Sequence, residues 1–597
     1  MSSPAPRQQP WPRGDLALLV AALLLGAAYF VRLGVVDVTE PDEVRYAVVG
    51  RTMVESGDAI TPRVNGFVYL DKPPLLHWLN ALSMRLSGFT AFAARLPSVL
   101  AGLGTVAVAA GLAAGLAGRR AGLWTAIVLL SAVLPAGVSR LCRYDAVFTL
   151  GLTAALACAW QALRQPQRLG WYIGAGAGVA AAILTKGPVA LVLVGGPVFA
   201  YWAAAWWAGR RSRVGAVSAG SPRSSGTLTW PYWLAALAVA LLLAAPWFVL
   251  TEALHPGYFH WFITNEHLAR VHGATGGQHA QPFWYLLPIT LVGIAPWSLL
   301  LLPAFPAATW RARFGAGGPR ADLFLLCWAA TPVVFFSLAQ GKLPPYVLPA
   351  LPPLAVLIGC YLAGAAGGVP AGARPWLVAT GIVCLVLAVG GAAASVRRPS
   401  DLLSTVAPQV IAAAALLALC GLVALVASLL RRPVPALLAL AALGLGEVLT
   451  IFEAMPAFPV TEGPEAARVA QRLAREGDLL ISYDVYNGAL LWALGGRMVV
   501  VGEFPNEYEY PENAGGLATW YYAPDFAGRA FLTTQRIVCI APERDVAWLR
   551  LHLQDRIIQE RLVRTKVVLV VRGLPPGPRA LLDPAPGSAG APPRETN

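Results

Sequence analysis

Long apolar runs dominate the chain, and short clusters of charged residues separate them. A helix needs about 20 apolar residues to cross a bilayer, and thirteen segments fit that length. They lie near 15–36, 91–117, 121–139, 145–163, 169–185, 188–209, 231–251, 283–304, 321–339, 346–366, 375–395, 405–430 and 434–452. The pattern predicts a polytopic α-helical membrane protein with about 13 transmembrane helices, the first retained rather than cleaved as a signal peptide.

Two of the polar segments between these runs are long, residues 37–90 and residues 252–282. The first contains two stretches of helical periodicity, at 47–54 and after Pro73-Pro74. Both predict short helices that lie at the membrane surface rather than across it.

The pattern changes after about residue 458, where charge rises and apolar stretches become short. Strands are predicted at 479–482, 498–501, 537–540 and 567–571, and helices at 465–476 and 544–553. We therefore predict a membrane domain over 1–457, a small α/β domain over 458–573 and a disordered Pro/Gly/Ala-rich tail over 574–597.

The composition supports the prediction of a membrane protein. Of the 597 residues, 57% are hydrophobic and only 13% are charged, whereas soluble domains carry about 25% charge. The same numbers exclude a disordered chain, which needs low hydrophobicity and high charge. The seven cysteines show no C-x-x-C spacing, so neither a disulfide framework nor a zinc ribbon is expected.

The net charge of +14 is explained by the topology of the chain in the membrane rather than by binding to nucleic acid. Most Lys and Arg residues lie in short loops on one side of the predicted spans, and cytoplasmic loops are the basic ones. This places the N-terminus in the cytoplasm, and thirteen spans then place both long loops and the C-terminal domain outside. Arg140, Arg143 and the Arg397-Arg398 pair fall on the outer side against the rule.

Carboxylates, cations and prolines recur in short motifs on the outer side. The first loop contains PDEVRYA from Pro41, SGD from Ser56, NGFVYLDKPPL from Asn65 and ARLPS from Ala94. Later motifs are RYD at 143–145, TKGP at 185–188, NEHLAR at 265–270, GKLPPYVLP at 341–349, DVY at 484–486 and VVVGE at 499–503. A protein that handles a phosphate-linked substrate needs such cations for the phosphate and a carboxylate for the nucleophile or a metal.

Each of these residues also has a simpler interpretation. The Asp42-Glu43 pair resembles the solvated start of a helix, with Arg45 as an internal ion-pair partner. Lys72 is typical of a lysine that extends to the membrane interface. Asp145 would form a salt bridge with Arg143 or Arg140, and Tyr346 would belong to an aromatic belt.

In their order along the chain, the motifs resemble the bacterial lipid-carrier-dependent glycosyltransferases of the GT-C class. They are most similar to the aminoarabinose transferase group, which is related to the protein O-mannosyltransferases. The resemblance implies the GT-C fold and a site built from three sets of residues. The catalytic set is Asp42, Asp145 and Glu43, the donor phosphate set is Lys72, Arg45, Arg270 and Tyr346, and the substrate cavity set is Tyr46, Tyr69, Lys186 and Lys342.

The same resemblance raises the question of a divalent metal, zinc or magnesium, at Asp71 and His267. Close relatives have Glu where this chain has Asp71, and the shorter side chain weakens that prediction. No P-loop or G-x-G-x-x-G occurs in a credible βαβ context, so no nucleotide is expected.

The function that the resemblance implies is transfer of a sugar from polyprenyl (undecaprenyl) phosphate to an acceptor at the periplasmic face of the bacterial inner membrane. The preferred pair is aminoarabinose and lipid A, and a monomer is expected. The alternatives are another sugar, another acceptor such as protein or a different glycolipid, hydrolysis of the donor, a transporter or flippase, and a non-enzymatic scaffold. A transporter usually places ionisable residues near the midplane in repeated halves, and the sequence shows no such repeat.

Overall fold

The protein is described from a computed structural model. The described residues are 12–39, 41–213, 230–268, 280–305, 320–364, 369–397, 401–455, 462–484, 487–502, 510, 520–522 and 529–575. The described residues within 1–36, 71–83 and 90–457 form one compact unit, and those within 37–70, 84–89 and 458–597 form a second. Residues 37–70 and 84–89, which the sequence analysis places in the membrane domain, therefore belong to the second unit.

The first unit is almost entirely helical. Its longest helices are α1 (Arg13–Ala28), α4 (Ala91–Ala117), α5 (Arg119–Ser131), α7 (Tyr144–Arg164), α8 (Leu169–Lys186), α9 (Val189–Arg213), α10 (Trp230–Leu254), α14 (Ala321–Leu338), α15 (Leu351–Ala363), α16 (Arg374–Arg397), α17 (Asp401–Leu429) and α18 (Pro433–Ala454). Shorter helices are α6 (Val133–Ser139), α11 (Tyr258–Trp261), α12 (Leu286–Gly293) and α13 (Leu301–Ala304), with a π-helix at Phe262–Leu268 and 3₁₀ turns at Ser298–Leu300, Pro344–Ala350 and Ala371–Ala373. Helix α3 (Leu75–Ser87) follows the KPP motif.

Nine helices in the described part of the chain are long and apolar enough to cross a membrane, and eleven if two bent pairs each count as one span. The bends are 66° between α5 and α6, and 102° between α12 and the segment Ser298–Ala304. The prediction of a polytopic α-helical membrane protein is confirmed. Of the thirteen predicted spans, 15–36 and 169–185 correspond to α1 and α8, which are outside that count, so the number thirteen stays a prediction.

Close backbone approach and buried arginines shape the first unit. A Cβ added to Gly444 of α18 would lie 1.9 Å from the Ser131 carbonyl of α5, so only glycine permits this contact. Arg140 donates to the carbonyls of Ala28 and Tyr29 at 3.1 and 2.7 Å. It therefore satisfies the Tyr29 carbonyl just beyond the end of α1 and adds a second bond to the Ala28 carbonyl, which also accepts from the Val31 N–H. This structural role explains why Arg140 departs from the charge rule.

The second unit contains α2 (Asp42–Ser56), a hairpin of β1 (Arg63–Val64) and β2 (Phe67–Val68), and a six-stranded sheet. The sheet order is β5-β4-β3-β6-β8-β7, formed by β3 (Leu479–Tyr483), β4 (Met498–Val501), β5 (Tyr521–Tyr522), β6 (Ile537–Pro542), β7 (Ile557–Val563) and β8 (Lys566–Val571). Strands β3, β4, β5 and β6 run parallel, while β8 is antiparallel to β6 and β7. Helices α19 (Glu462–Leu473), α20 (Gly488–Leu494) and α21 (Val546–Leu553) complete it.

These elements confirm the predicted C-terminal α/β domain. All four predicted strands are present, and the structure adds β5 and β7. Strand β4 is buried at every position, as expected for a parallel strand that is covered on both faces. Both predicted helices of the first outer loop also form, as α2 and α3. The predicted disordered tail lies almost wholly outside the described residues.

Candidate active site

In the second unit, two of the three predicted catalytic carboxylates, Asp42 and Glu43, lie at the start of α2 but have different surroundings. The Glu43 side chain is buried and its Oε2 accepts hydrogen bonds from the Thr39 backbone N–H at 2.9 Å and the Thr39 hydroxyl at 3.0 Å. This contact fixes the entry of the chain into the helix, so Glu43 has a local structural role. Asp42 is one-third exposed, and its Oδ1 lies 3.7 Å from the Arg45 Nη1.

Asp42 and Arg45 therefore form the expected ion pair across one turn of helix. The two charged atoms are 3.7 Å apart, and neither side chain is fully buried. The predicted cavity residues Tyr46 and Tyr69 are buried within the structure. Of the four side chains, Asp42 and Arg45 are the better placed to meet a substrate.

The loop that carries Asp42 is fastened to the sheet of its own unit. The Asn65 side chain bonds both backbone groups of Met498, with Nδ2 donating to the carbonyl at 2.9 Å and Oδ1 accepting from the N–H at 2.7 Å. Trp492 of α20 donates its indole N–H to Asp37 at 3.0 Å, and Arg51 of α2 donates to the Trp492 carbonyl. The C-terminal domain thus holds both ends of this loop and its helix.

In the first unit, Asp145 is the centre of an ion-pair cluster at the start of α7. Its Oδ1 lies 2.5 Å from the Lys186 Nζ, and its Oδ2 lies 3.7 Å from the Arg143 Nε. Lys186 ends α8, where a cation is favoured by the helix dipole, and it also faces the rings of Phe148 and Tyr346 at 5.3 and 5.6 Å. The cluster thus joins three predicted site residues, Asp145, Lys186 and Tyr346.

Tyr346 and Lys342 belong to the KLPPY motif, but only Tyr346 lies beside the cluster. The Tyr346 ring packs on Phe336, with ring centroids 4.6 Å apart. The Lys342 Nζ donates to the Gln281 carbonyl at 2.7 Å. Burial lowers the pKa of this ammonium from its usual range, and its contact supports the fold of the loop.

Lys72, the predicted phosphate contact, forms a close ion pair in the same unit. Its Nζ lies 2.5 Å from the Glu266 Oε2 and donates to the Asp71 carbonyl at 3.0 Å. Glu266 belongs to the π-helix that opens the NEHLAR motif. Sequence reasoning named the histidine and the arginine of that motif and missed the glutamate.

The metal prediction is not settled by these contacts. Asp71 is half-buried, but the side chain of His267 and all of Arg270 lie outside the described residues. Within the part of the chain that is described, no group of three or more His, Cys, Asp and Glu side chains could hold a metal ion. A metal at Asp71 and His267 therefore stays a prediction.

Two buried polar pairs that sequence reasoning missed connect α3 to the start of α7. The Tyr144 hydroxyl hydrogen-bonds the His77 Nε2, and the Asn80 amide donates to the Cys142 sulfur at 3.2 Å. His77 and Asn80 are three residues apart, so they share one face of α3. The spacing of these two polar residues on an apolar helix was the signal available in the sequence. The two pairs hold α3, which follows Lys72, against the start of α7, which contains Asp145.

Residues 16–260 match the family of dolichyl-phosphate-mannose-protein mannosyltransferases. The undecaprenyl phosphate-alpha-4-amino-4-deoxy-L-arabinose arabinosyl transferase of Edwardsiella ictaluri is 35% identical over 377 residues, which is 62% of this chain and 63% of that protein. The protein of the same name in Shewanella sediminis is 35% identical over 58% of this chain and 59% of its own length. The chain thus matches about three fifths of the length of these curated relatives.

A solved structure decides the fold. The apo crystal structure of ArnT from Cupriavidus metallidurans matches with a TM-score of 0.76 over 93% of this chain and 98% of that chain, at 23% identity. The chain has the GT-C fold. The structure of the same protein bound to undecaprenyl phosphate matches with a TM-score of 0.72 over 93% of this chain and 97% of that chain, also at 23% identity.

The GT-C fold and the relatives confirm the resemblance that the motifs indicated. The family match covers the first outer loop, the RYD and TKGP motifs, and the spans between them. The NEHLAR and KLPPY motifs lie C-terminal to the residues of the family match. Their assignment rests on the longer alignments with the relatives and on the contacts of Glu266 and Tyr346. The roles predicted for individual residues of the GT-C fold stay predictions.

Proposed function

We propose that this chain is an integral membrane glycosyltransferase of the bacterial inner membrane. It moves a sugar from polyprenyl phosphate to an acceptor at the periplasmic face, with aminoarabinose as the sugar and lipid A as the acceptor. The names of the relatives support the class, the sugar and the carrier. The observation that carries the proposal is the pair of lysines in the first unit, Lys72 and Lys186, each held by a carboxylate 2.5 Å away.

Such lysines suit a lipid-linked phosphate. Polyprenyl phosphate keeps its chain in the bilayer and its phosphate at the surface, where a compact ammonium binds it as a point charge. The side chains of Lys72 and Lys186 are only 19% and 17% exposed. A partly desolvated cation interacts more strongly with an anion than an exposed one does, so these lysines can bind a phosphate in competition with water.

The reaction breaks the bond between the sugar and the phosphate oxygen, and negative charge grows on the leaving phosphate. Lys72 stabilises that charge electrostatically, and Arg45 and Arg270 are the further phosphate-binding cations that the resemblance implies. The sugar passes through a transition state of oxocarbenium character. Attack from the face opposite the phosphate inverts the anomeric centre.

Asp42 acts on the acceptor. For a hydroxyl acceptor it removes the proton as a general base. For a phosphate acceptor such as lipid A, which is already ionised, it orients the acceptor or stabilises the positive charge on the sugar. Its side chain is partly exposed, so the carboxylate can meet an acceptor in either role.

The test is a transfer assay with purified protein in lipid, polyprenyl-phosphate aminoarabinose as donor and lipid A as acceptor, read by mass spectrometry. We expect lipid A to gain the mass of one aminoarabinose residue, and Asp42→Asn to abolish the gain while the protein stays folded. Asp555→Asn, the same change at an exposed position of the second unit, is the matched control. Donor consumption without modified lipid A would refute the acceptor, and no consumption with any sugar would refute the class.

A further inference from the structure

The contact between Lys72 and Glu266 affects how a lipid-linked phosphate binds to Lys72 and leaves it. The two side chains are 19% and 10% exposed, and their charged atoms are 2.5 Å apart. An ammonium has three donors, and here one is directed at a carboxylate oxygen and another at the Asp71 carbonyl. Glu266 therefore holds Lys72 where a phosphate oxygen would otherwise bind.

The backbone beneath Glu266 is firmly anchored. The carboxylate of Glu252 accepts from the N–H groups of Gly257 and Phe259 at 2.8 and 2.7 Å, which fixes the turn that precedes the π-helix. The Tyr258 ring stacks on Phe262, with centroids 5.3 Å apart. Single-turn π-helices are frequent at functional sites, and this one places a carboxylate against the lysine of the KPP motif.

A carboxylate and a phosphate compete for the same ammonium. Both are oxygen anions that bind Lys at hydrogen-bond distance, and two anions around one cation repel each other. A donor phosphodiester carries one negative charge. The released polyprenyl phosphate is a monoester with a second pKa of about 6, so it carries close to two charges at neutral pH. The repulsion from Glu266 is therefore greater for the product than for the donor.

We propose that Glu266 is an internal competitor for Lys72, which weakens the binding of polyprenyl phosphate and so promotes release of the product. This inference rests on the proposed function. Glu266 acts through Lys72 and is a positioning residue. It forms an ion pair with the lysine before the donor binds. The pair breaks when the donor phosphate binds Lys72, and it forms again as the product leaves.

The competition gives Glu266→Gln a distinctive effect. Glutamine keeps the shape and one acceptor oxygen but removes the charge. We expect the Kd for polyprenyl phosphate to fall on the order of tenfold. In the transfer assay, kcat and the KM for donor should both fall, and inhibition by added polyprenyl phosphate should become stronger. Loss of a merely structural contact would weaken binding, which is the opposite sign.

The experiment measures binding of polyprenyl phosphate to the full chain in lipid nanodiscs. The variants are Glu266→Gln, Glu266→Ser, Lys72→Ala and the double variant Glu266→Gln/Lys72→Ala. The matched control is Glu453→Gln, which removes a carboxylate from another ion pair of the same unit, 2.8 Å from Arg32. Both Glu266 variants should bind more tightly than wild type, the control should not, and the gain should vanish in the double variant.

Three outcomes contradict the inference. Equal or weaker binding by whichever Glu266 variant folds would show that the carboxylate does not compete. A gain that survives Lys72→Ala would show that it does not act through the lysine. If wild-type protein fails to bind polyprenyl phosphate at all, the proposed function itself falls, and the inference falls with it.

Discussion

Removing the Asn65 side chain should destabilise the loop that carries Asp42. Asn65 is 2% exposed and bonds both the N–H and the carbonyl of Met498, which is itself fully buried. Asn65→Gly leaves both backbone groups without these bonds. Each orphaned buried group costs about 1–3 kcal/mol, so the loss of both bonds should lower the free energy of unfolding by about 2–6 kcal/mol. Glycine is the right replacement because Asn65 has a φ of 53°, a region that glycine adopts without strain.

Asn65→Ala provides an internal check on that number. Alanine removes the same two hydrogen bonds and adds the steric cost of a left-handed conformation, about 1–2 kcal/mol. It should therefore be less stable than Asn65→Gly, although alanine is normally the more stabilising residue. Gln535→Ala, at an exposed turn of the same unit, should have no measurable effect.

Hydrogen exchange measured by mass spectrometry is the suitable assay, because the loss is local. In Asn65→Gly, the amides of β4 and of the β1–β2 hairpin should exchange about 30-fold faster or more, which corresponds to about 2 kcal/mol. The rate of sugar transfer should fall as well, since the same loop carries Asp42. Unchanged exchange and an unchanged rate would show that Asn65 does not hold the loop in place.

Three further predictions concern other contacts. Lys186→Met should lower the free energy of unfolding by about 3 kcal/mol, because Asp145 loses its nearest cation. Adding Asp145→Asn should restore thermal stability but not sugar transfer. Full activity in the double variant would show that neither residue belongs to the active site. Tyr144→Phe should lower the free energy of unfolding by about 1 kcal/mol, because the hydrogen bond to His77 is lost, and it should slow sugar transfer. An unchanged melting temperature and an unchanged transfer rate would contradict a positioning role. Burial raises the pKa of the Cys539 thiol, so a thiol reagent should modify Cys539 only as the second unit unfolds, and rapid labelling of the folded protein would contradict its burial.

The sequence was sufficient for features that depend on local pattern. Apolar runs located the spans, because each needs only enough consecutive apolar residues to cross a bilayer. Short apolar stretches located the four strands. The contact between Glu43 and Thr39 also lies within one turn of chain, and a helix-start signal predicted the helix correctly.

Hydropathy did not reveal where spans bend. The apolar runs at 121–139 and 283–304 each read as one span, whereas the structure bends them by 66° and 102°. A bend changes direction without changing composition, so an average over the run is insensitive to it.

The sequence did not predict contacts between distant parts of the chain. Lys72 and Glu266 are 194 positions apart, and Asn65 and Met498 are 433 positions apart. The salt-bridge interpretation of Asp145 considered only nearby arginines. In the structure Arg143 is the more distant partner at 3.7 Å, Lys186 is the closer one at 2.5 Å, and Arg140 instead caps α1.

The most direct test of the central claim is made in cells. The chain and its Asp42→Asn variant would be expressed to equal levels in a Gram-negative strain that makes polyprenyl-phosphate aminoarabinose but lacks its own transferase, and lipid A would be analysed by mass spectrometry. The account predicts that the wild-type chain adds aminoarabinose to lipid A and that the variant does not. Unmodified lipid A in cells that hold folded wild-type protein and accumulate donor would contradict it.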